Sequence, residues 1–339
     1  MTDVTLDPSQ RSYWTSDQEV RWCPGCGDYG ILAAVQMLHT EMDVKREDTV
    51  FVSGIGCAAR FPYYMSTYGM HSIHGRAPAI ATGLAVARPD LDIWVVGGDG
   101  DMLSIGGNHL IHALRRNVDL TILLFNNRIY GLTKGQYSPT SEVGKVTKST
   151  PAGSIDPPFN PIALALGAGA TFVARTHDLD RKHMIETFRR AHDHKGAALV
   201  EIFQNCNVFN DGAYDTLTKR SVRDDMLIDV RHGQPIRFGT ELQHGVVVDR
   251  DGARIVSVAD VGEEALAVHD ETAPNPSVAF ALAQLANDVH SPTPIGVLRS
   301  VVAPEYAEGV NQQLLDANEA KGPGDLSALL RSGATWTMG

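Results

Sequence analysis

The sequence predicts an α/β fold built on a mainly parallel sheet with helices on both of its faces. Five short apolar runs alternate along the chain with segments of helical periodicity. Each run is continuously apolar rather than alternating, which is typical of strands that are buried on both faces of a parallel sheet. Glycine and polar residues follow the runs, and in open α/β sheets ligands bind at the carboxyl ends of the strands.

The predicted elements follow one another in a regular order. We expect strands at residues 50–53, 93–96, 120–125, 170–174 and 198–203, and helices at 29–42, 77–87, 105–116, 161–166 and 179–192. Cys57, Asp99, Asn127 and Cys206 come shortly after four of these strands. Because the carboxyl ends of parallel strands meet at one edge of a sheet, we expect these four side chains to lie at the same edge.

The pattern changes beyond residue 211. Residues 212–239 are charged and loop-rich, and apolar runs at 246–248 and 254–258 flank Arg250-Asp251-Gly252, which predicts a hairpin. A helix at 279–287, a strand at 295–301, and polar helix and coil from residue 304 complete the chain. We therefore divide it into residues 1–235, which carry the chemical motifs, and a C-terminal extension, residues 236–339, that serves packing or a subunit interface.

The composition excludes several classes of protein. Apolar residues make up 43% and charged residues 20% of the 339, which excludes disorder, collagen and coiled coil as the main architecture. No apolar run reaches the ~18 residues of a membrane span, and the acidic, polar N-terminus is not a secretory signal, so we expect a cytoplasmic protein without a membrane partner. The formal net charge of −11 argues against a nucleic-acid partner, because the phosphates would be repelled.

The four cysteines of the chain are the first chemical signal. Cys23 and Cys26 stand in a Cys-Pro-Gly-Cys motif, whereas Cys57 and Cys206 are distant in sequence. Disulfides are not expected without a secretory signal, and four thiols suit one tetrahedral metal ion or one iron–sulfur cluster. Two alternatives remain open: a redox pair at Cys23 and Cys26, or four unrelated thiols. The spacing does not distinguish zinc from an iron–sulfur cluster.

A glycine-aspartate segment is the second chemical signal. It reads Gly98-Asp99-Gly100-Asp101 and is followed by Asn126-Asn127 across one helix and one strand. Glycines after a strand let the backbone approach a diphosphate, and carboxylate and amide oxygens are suitable ligands for Mg²⁺. The carbonyl of Ile129 can point the same way. A plain turn is the alternative interpretation, and the pairing of the two motifs favours a cofactor site.

The motifs together resemble a known family. Gly-Asp-Gly with Asn-Asn resembles the thiamine diphosphate (ThDP) signature. The other motifs are Cys-Pro-Gly-Cys-Gly-Asp-Tyr-Gly from residue 23, Gly-Ile-Gly-Cys from 54, His-Ser-Ile-His-Gly-Arg from 71, Ile-Gly-Gly-Asn-His from 105, and Tyr-Gly-Leu-Thr-Lys-Gly-Gln-Tyr-Ser-Pro-Thr from 130. Over about residues 15–235 the chain resembles the β subunits of 2-oxoacid:ferredoxin oxidoreductases, and most closely those that act on 2-oxoglutarate.

The resemblance implies a ThDP-binding fold that holds ThDP, Mg²⁺ and one [4Fe-4S] cluster. It implies cluster ligands at Cys23, Cys26, Cys57 and Cys206, and Mg²⁺ ligands at Asp99, Asn127 and the Ile129 carbonyl. The cofactor-binding residues it implies are Gly25, Cys26, Gly56, Gly98, Asp99, Gly100, Asp101, Asn127, Ile129, Leu132 and Thr133. Of these, Gly100, Asp101 and the segment around Thr133 would line the diphosphate.

The resemblance also implies an activity and its partners. 2-Oxoglutarate would be decarboxylated oxidatively, with coenzyme A as cosubstrate, to succinyl-CoA and CO₂, and the electrons would pass through the cluster to ferredoxin. An α subunit would supply the glutamate that activates the aminopyrimidine ring and much of the coenzyme A site, in an α2β2 heterotetramer. The chain alone would be inactive. Pyruvate or a branched-chain 2-oxoacid is an alternative substrate, and a non-catalytic, zinc-stabilised α/β subunit is an alternative function.

Three further residues are candidates for contact with the substrate. His74 and Arg76 are the candidate catalytic residues, because they could polarise the carbonyl or carboxylate of a 2-oxoacid; the alternative is a hydrogen-bonded loop that shapes the pocket. Lys134 follows the cofactor motif, where its cation could meet the second carboxylate of 2-oxoglutarate. An ordinary surface lysine is equally compatible with the sequence.

Overall fold

The computed structural model describes residues 7–287 and 290–338, and its centre is an eight-stranded sheet. The strands are β1 (Thr49–Ser53), β2 (Tyr68–His71), β3 (Asp92–Gly98), β4 (Leu120–Asn126), β5 (Phe172–His177), β6 (Ala197–Phe203), β7 (Leu227–Val230), β8 (Arg237–Phe238), β9 (His244–Asp249), β10 (Gly252–Ser257) and β11 (Thr293–Ser300). The central sheet has the order β2-β1-β3-β4-β6-β5-β11-β7. Neighbouring strands are parallel except β11 and β5, so the predicted mainly parallel sheet is confirmed.

Helices cover both faces of this sheet, as predicted. They are α1 (Asp28–His39), α2 (Ala77–Ala87), α3 (Gly107–Arg115), α4 (Pro161–Gly167), α5 (Arg181–His192), α6 (Asp215–Thr218), α7 (Arg223–Met226), α8 (Val258–Val261), α9 (Ser277–Gln284), α10 (Tyr306–Lys321) and α11 (Leu326–Leu330). One apolar core contains buried residues of α2, α3, α4 and α9, and the core on the other face contains residues of α1 and α5. Each fully buried large apolar side chain in these cores contributes roughly 1.5–3 kcal/mol to stability.

Local sequence signals explain where two of the helices begin. Asn160 caps α4, because its side chain accepts a hydrogen bond from the backbone N–H of Ala163, and Pro161 occupies the first turn. Asp180 caps α5 in the same way through His183. Replacing such a cap by alanine typically costs about 1 kcal/mol.

Most predicted elements shift by one to three residues at their ends, and two of these shifts have an evident local cause. The strand expected at 170–174 is β5, Phe172–His177, because Gly169 (φ +80°) and the bond from Ala170 N to Ala165 O still belong to the turn that ends α4. The helix expected at 105–116 begins at Gly107 and follows a separate π-helical turn, Asp101–Ile105, since Ser104 has non-helical angles. Sequence reasoning missed β2, and the segment 212–239, expected to be loop-rich, contains α6, α7, β7 and β8. β2 is exposed along its whole length and therefore lacks a continuous apolar run.

The C-terminal part of the chain contributes to the central sheet. The predicted hairpin is confirmed, since β9 and β10 pair in antiparallel fashion with Asp249 opposite Gly252. β11, beyond residue 235, lies between β5 and β7. The domain boundary at 235 remains a prediction, but its two sides share one sheet. None of the helices in the described ranges is long and apolar enough to cross a membrane.

Candidate active site

Four neighbouring strands bring the predicted site residues to one edge of the sheet. β1, β3, β4 and β6 lie side by side and run in parallel. The segments that follow them carry Cys57, Asp99, Asn127 and Cys206. The expectation that these side chains share one edge is therefore confirmed, and a cavity of about 220 Å³ opens there.

The wall of this cavity contains most of the predicted cofactor-binding residues. Residues 55–58, 98–101 and 129–133 line it, together with His74 and Asn127. Gly56, Gly98, Asp99, Gly100, Asp101, Ile129, Leu132 and Thr133 are thereby placed together. Gly25, Cys26, Arg76 and Lys134 do not belong to this wall. Gly25 instead serves the turn of the Cys-Pro-Gly-Cys motif, where its φ of +86° requires glycine.

Three oxygen donors of this wall suit a hard cation. The Asp99 carboxylate is almost fully buried, and burial raises the pKa of Asp99 above its usual range. The Asn127 side-chain oxygen accepts a hydrogen bond from Ile129 N at 3.2 Å, so both residues belong to one tight turn, in which Arg128 has a φ of +56°. The carbonyl of Ile129 accepts no hydrogen bond from any described residue. The three residues line one cavity, and a buried carboxylate, an amide oxygen and an unpaired carbonyl are suitable ligands for Mg²⁺.

A buried polar network behind the cavity holds Asp99 in place. Its Oδ2 accepts hydrogen bonds from Ser138 Oγ and Thr140 Oγ1, both at 2.5 Å. The Thr140 hydroxyl also lies 2.8 Å from Asn126 Oδ1. Asn126 donates to Glu201 Oε1 at 2.7 Å. Sequence reasoning missed this support, although Ser138 and Thr140 stand in the Ser-Pro-Thr end of a quoted motif.

The network ends in a buried ion pair. Arg175 Nε donates to Glu201 Oε2 at 2.7 Å, and both side chains are at most 2% exposed. Arg175 also donates to the carbonyl of Pro294 at 3.0 Å, which connects the site to β11. A buried pair of this kind is weak evidence for stability, but loss of one partner leaves an uncompensated charge.

The Asp101 carboxylate connects three loops of the site. Its Oδ1 accepts hydrogen bonds from the backbone N–H groups of Ile55 (3.0 Å) and Gly75 (2.7 Å) and from His74 Nδ1 (2.5 Å). The space for the carboxylate exists because Gly54 has no Cβ, which would lie 2.0 Å from Asp101 Oδ2. Asp101 thus joins the loops after β1, β2 and β3 and also lines the cavity, so the expectation that it lines a diphosphate stays a prediction.

Gly100 and Gly98 serve different purposes. A Cβ on Gly100 would lie 2.1 Å from Tyr130 Cε1, and the Tyr130 hydroxyl donates to the Gly100 carbonyl at 2.9 Å. Gly100 therefore lets the ring of Tyr130 approach the backbone. At Gly98 a Cβ would meet only the Phe125 carbonyl, at 3.9 Å, so this backbone is open to the cavity.

The cysteines converge beside the same cavity. An added Cβ on Gly131 would lie 3.5 Å from Cys206 Sγ and 3.6 Å from Cys57 Sγ. Burial raises the pKa of Cys57 to about 12, and Asp28, Cys206 and Cys23 add to the effect. The mutual influence of the thiols places them in one neighbourhood. Among the residues that the structure describes, no group of three or more His, Cys, Asp or Glu side chains is arranged to hold a single metal ion.

The environment of Cys26 contains a buried acid and an amide. The pKa of Cys26 is raised by burial and then by Asp28, and also by Cys206 and Cys57. Burial raises the pKa of Asp28 to about 7. Gln204 Nε2 lies 3.4 Å from Cys26 Sγ and can donate to it. The raised pKa values mean that these cysteines are thiols unless a positive centre binds their sulfurs. N–H donors to sulfur are typical of iron–sulfur sites. The cysteines and the Gln204 amide therefore fit a cluster.

The candidate substrate residues differ in their placement. His74 lines the cavity, and because Asp101 can only accept, Nδ1 carries the proton of their hydrogen bond. Arg76 instead donates to the His74 carbonyl at 3.3 Å. Lys134 is exposed and has a φ of +75°, in a turn closed by its bond to the Gly131 carbonyl.

Comparisons with known proteins agree with this geometry. Residues 54–202 match the family model described as "Thiamine pyrophosphate enzyme, C-terminal TPP binding domain". The chain is 56% identical over 337 residues to 2-oxoglutarate oxidoreductase subunit KorB of Mycobacterium tuberculosis, over 99% of this chain and 90% of that one. It is 47% identical over 211 residues to the 2-oxoacid:ferredoxin oxidoreductase subunit beta of a Sulfolobus species, over 61% of this chain and 69% of that one.

A solved structure is similar over nearly the whole length. It is a 2-oxoglutarate:ferredoxin oxidoreductase from Magnetococcus marinus with 2-oxoglutarate, coenzyme A and succinyl-CoA bound. The TM-score is 0.75 at 32% sequence identity, and the alignment covers 98% of each chain. The predicted ThDP-binding fold is confirmed, and the similarity extends beyond the residues 15–235 that the motifs suggested.

Proposed function

This chain belongs to the β subunits of the 2-oxoacid:ferredoxin oxidoreductases, and on that premise we propose that it forms, with an α subunit, a 2-oxoglutarate:ferredoxin oxidoreductase. The reaction converts 2-oxoglutarate and coenzyme A into succinyl-CoA and CO₂ and releases two electrons to ferredoxin. The names of the similar proteins support this substrate. The proposed assembly is α2β2, with ThDP, Mg²⁺ and one [4Fe-4S] cluster in each β subunit.

One observation carries the proposal: the cysteine site and the cofactor cavity share a wall. Cys57 and Gly131 both line the cavity that Asp99 and Asn127 line. Gly131 also lies against the sulfurs of Cys57 and Cys206. Chemistry that transfers electrons from an organic cofactor to a cluster needs such proximity, whereas a structural metal site does not.

The residues of the cavity divide the binding task. Asp99, Asn127 and the Ile129 carbonyl hold Mg²⁺, and the open backbone at Gly98 leaves room for the diphosphate. Cys23, Cys26, Cys57 and Cys206 hold the cluster. When bound, ThDP supplies a nucleophilic carbon and an electron sink for decarboxylation. The hydrogen bonds of Ser138 and Thr140 to Asp99, and the turn from Asn127 to Ile129, keep these donors in position before any ligand binds.

The histidine in the cavity wall is suited to contact the substrate. With Nδ1 engaged by Asp101, His74 leaves Nε2 without a partner among the described residues. This nitrogen can accept a proton or, in the charged ring, donate one to a carbonyl or carboxylate oxygen. Arg76 supports the same loop from behind. Lys134 would need to turn its exposed side chain toward the cavity to meet the second carboxylate.

The test is co-expression with the α subunit and a panel of 2-oxoacids. The complex is assayed with coenzyme A and a viologen acceptor under low oxygen. We expect 2-oxoglutarate to be oxidised with a higher kcat/KM than pyruvate or branched-chain 2-oxoacids, and the separated chain to be inactive. Preference for another 2-oxoacid, or turnover by the chain alone, would contradict the proposal.

Two variants test the assignment of the cofactor sites. Asp99→Asn should lower the ThDP and Mg²⁺ content of the purified complex but leave its iron, and Cys57→Ser should lower the iron but leave ThDP. Asp90→Asn, at an exposed ion pair, is the matched control and should change neither. A colourless wild-type complex that contains zinc in place of iron would favour the non-catalytic alternative.

A further inference from the structure

A buried amide lies beside the cysteine site. Gln204 follows β6 directly, and its backbone N–H donates to the Asn126 carbonyl at 3.0 Å, which extends the pairing of β6 with β4. The residue is 1% exposed. Its side-chain Nε2 lies 3.4 Å from Cys26 Sγ and 2.5 Å from the Asn205 carbonyl oxygen. The end of a buried strand therefore holds an amide N–H group against one of the proposed cluster ligands.

The orientation of this amide is fixed by its neighbours. A sulfur and a carbonyl oxygen are both acceptors, so the amide nitrogen must face them, and the reversed amide would place two oxygens 2.5 Å apart. The Asn205 carbonyl also accepts from Gly27 N at 3.1 Å, and Gly27 follows Cys26. The Gln204 N–H groups thus join the two loops that carry Cys26 and Cys206.

The other end of the same amide has no partner. Gln204 Oε1 is buried and accepts no hydrogen bond from the residues that the structure describes. An unpaired buried oxygen is unfavourable, and an apolar side chain at this position would avoid that cost. Packing therefore does not explain an amide here. Its use lies in the N–H groups, which an apolar residue lacks.

Hydrogen bonds to sulfur influence the reduction potential of an iron–sulfur cluster. Reduction adds one electron, and an N–H dipole that is directed at a ligand sulfur stabilises the additional negative charge. The interaction is stronger where water is largely excluded, because the local dielectric constant is low. A cluster with such a donor is therefore easier to reduce than the same cluster without it.

We propose that Gln204 is a positioning residue that raises the reduction potential of the cluster through its N–H group on Cys26. The step concerned is the transfer of one electron: the cluster is reduced, the electron comes from the oxidative decarboxylation, and it leaves to ferredoxin. No bond forms or breaks at Gln204. The inference rests on the proposed function and deepens it, because it names a residue that adjusts how readily the cluster accepts electrons.

A redox titration of the complex with its α subunit tests this role. The cluster is reduced stepwise with dithionite in the presence of mediators, and the reduced form is followed by electron paramagnetic resonance. In Gln204→Leu the ratio of reduced to oxidised cluster at a given potential should fall about tenfold, which is a downward shift of about 59 mV for one electron. The iron content per chain should equal that of the wild type.

Asn207→Ala is the matched control. Asn207 Nδ2 donates to the Pro24 carbonyl at 2.6 Å, so this amide also joins the two cysteine loops, but its N–H group is bonded to an oxygen. The substitution should change the ratio of reduced to oxidised cluster less than twofold. An equal shift in Asn207→Ala and Gln204→Leu would assign the effect to the packing of the loops and overturn the inference.

The remaining outcomes are also decisive. A ratio within twofold of the wild type in Gln204→Leu, or an upward shift of the potential, overturns the inference. If Gln204→Leu loses its iron, Gln204→Met, which preserves the length of the side chain, takes its place. Loss of iron from both variants would make Gln204 a requirement for cluster assembly and would overturn the inference. A wild-type complex without an iron–sulfur cluster contradicts the proposed function, whereas a complex that oxidises 2-oxoglutarate with a potential independent of Gln204 contradicts only this inference.

Discussion

Replacing Gly27 by alanine tests how the loops that carry two of the cysteines are held together. Gly27 has φ −60° and ψ −23°, angles that alanine adopts freely. However, its Cβ would lie 1.9 Å from Asp178 Oδ2 and 3.1 Å from Asn205 N. Those two atoms form a hydrogen bond of 2.7 Å, and Gly27 N donates to the Asn205 carbonyl at 3.1 Å. Cys26 precedes Gly27, and Cys206 follows Asn205, so the clash is transmitted to both ligand loops.

The expected cost follows from what the methyl group displaces. Asp178 must move, which breaks a hydrogen bond to a charged group worth about 1.5–3 kcal/mol. Overpacking adds roughly 1–3 kcal/mol, so we expect a loss of about 4 kcal/mol. The unfolding entropy is ~2.1 cal/mol/K per residue. For a chain of 339 residues, each kcal/mol of lost stability therefore lowers the melting midpoint by about 1.4 °C. The variant chain should therefore melt ~6 °C below wild type.

The assay combines a thermal melt of the purified chain with iron analysis of its complex with the α subunit. Gly27→Ala should lower both the midpoint and the iron per chain. Gly83→Ala is the control, because its Cβ meets nothing within 4 Å on the exposed side of α2, and alanine there should stabilise by ~0.5–1 kcal/mol. Adding Asp178→Ala to Gly27→Ala removes the clash and should restore part of the loss. A Gly27→Ala variant with the wild-type midpoint and iron content would refute the reasoning.

Two further predictions concern buried charge. Burial lowers the pKa of His177 from 6.5 to about 4. Below pH 6.5 the unfolded chain therefore binds a proton at this histidine, whereas the folded chain does not. Because the unfolded state is favoured in this way, the free energy of unfolding should fall by about 3 kcal/mol between pH 6.5 and 4. In the His177→Asn variant the melting midpoint should depend less steeply on pH between 6.5 and 4. A slope equal to that of the wild type would contradict this assignment to His177. Glu201→Ala leaves Arg175 buried without its partner and should cost roughly 3–5 kcal/mol, whereas Asp90→Ala, which removes the partner of Arg88 in an exposed pair, should cost less than ~1 kcal/mol; equal shifts of the melting midpoint would contradict the difference.

Much of the fold was predictable because strand burial is a local signal. The five buried strands have continuous apolar runs, and the helix at 77–87 was predicted with the bounds that α2 has. β2 could not be found in this way, since all four of its residues are exposed and only the pairing with β1 defines it. The antiparallel pairing of β11 with β5 likewise depends on tertiary packing, and no local sequence pattern predicts it.

The residues of the candidate site that follow the ends of parallel strands could be predicted from the sequence. Asp99 and Asn127 come directly after a parallel strand and Cys57 follows shortly after another, so chain position alone placed them at one edge. The direction of each side chain was not predictable. Asp101 is two positions after Asp99, yet its carboxylate accepts hydrogen bonds from Ile55 N and Gly75 N, whereas the Asp99 carboxylate accepts them from Ser138 and Thr140.

By itself, the sequence determined which groups are available: four thiols, two oxygen-bearing loops and the parallel strands whose order brings them to a common edge. Only the tertiary structure decided which of these groups face the cavity and which hold the loops, and it alone revealed the support of Asp99 by Ser138 and Thr140. The reason is physical. Strand and helix formation depends on neighbours within a few residues, whereas the orientation of a polar side chain depends on hydrogen-bond partners that arrive from distant parts of the chain.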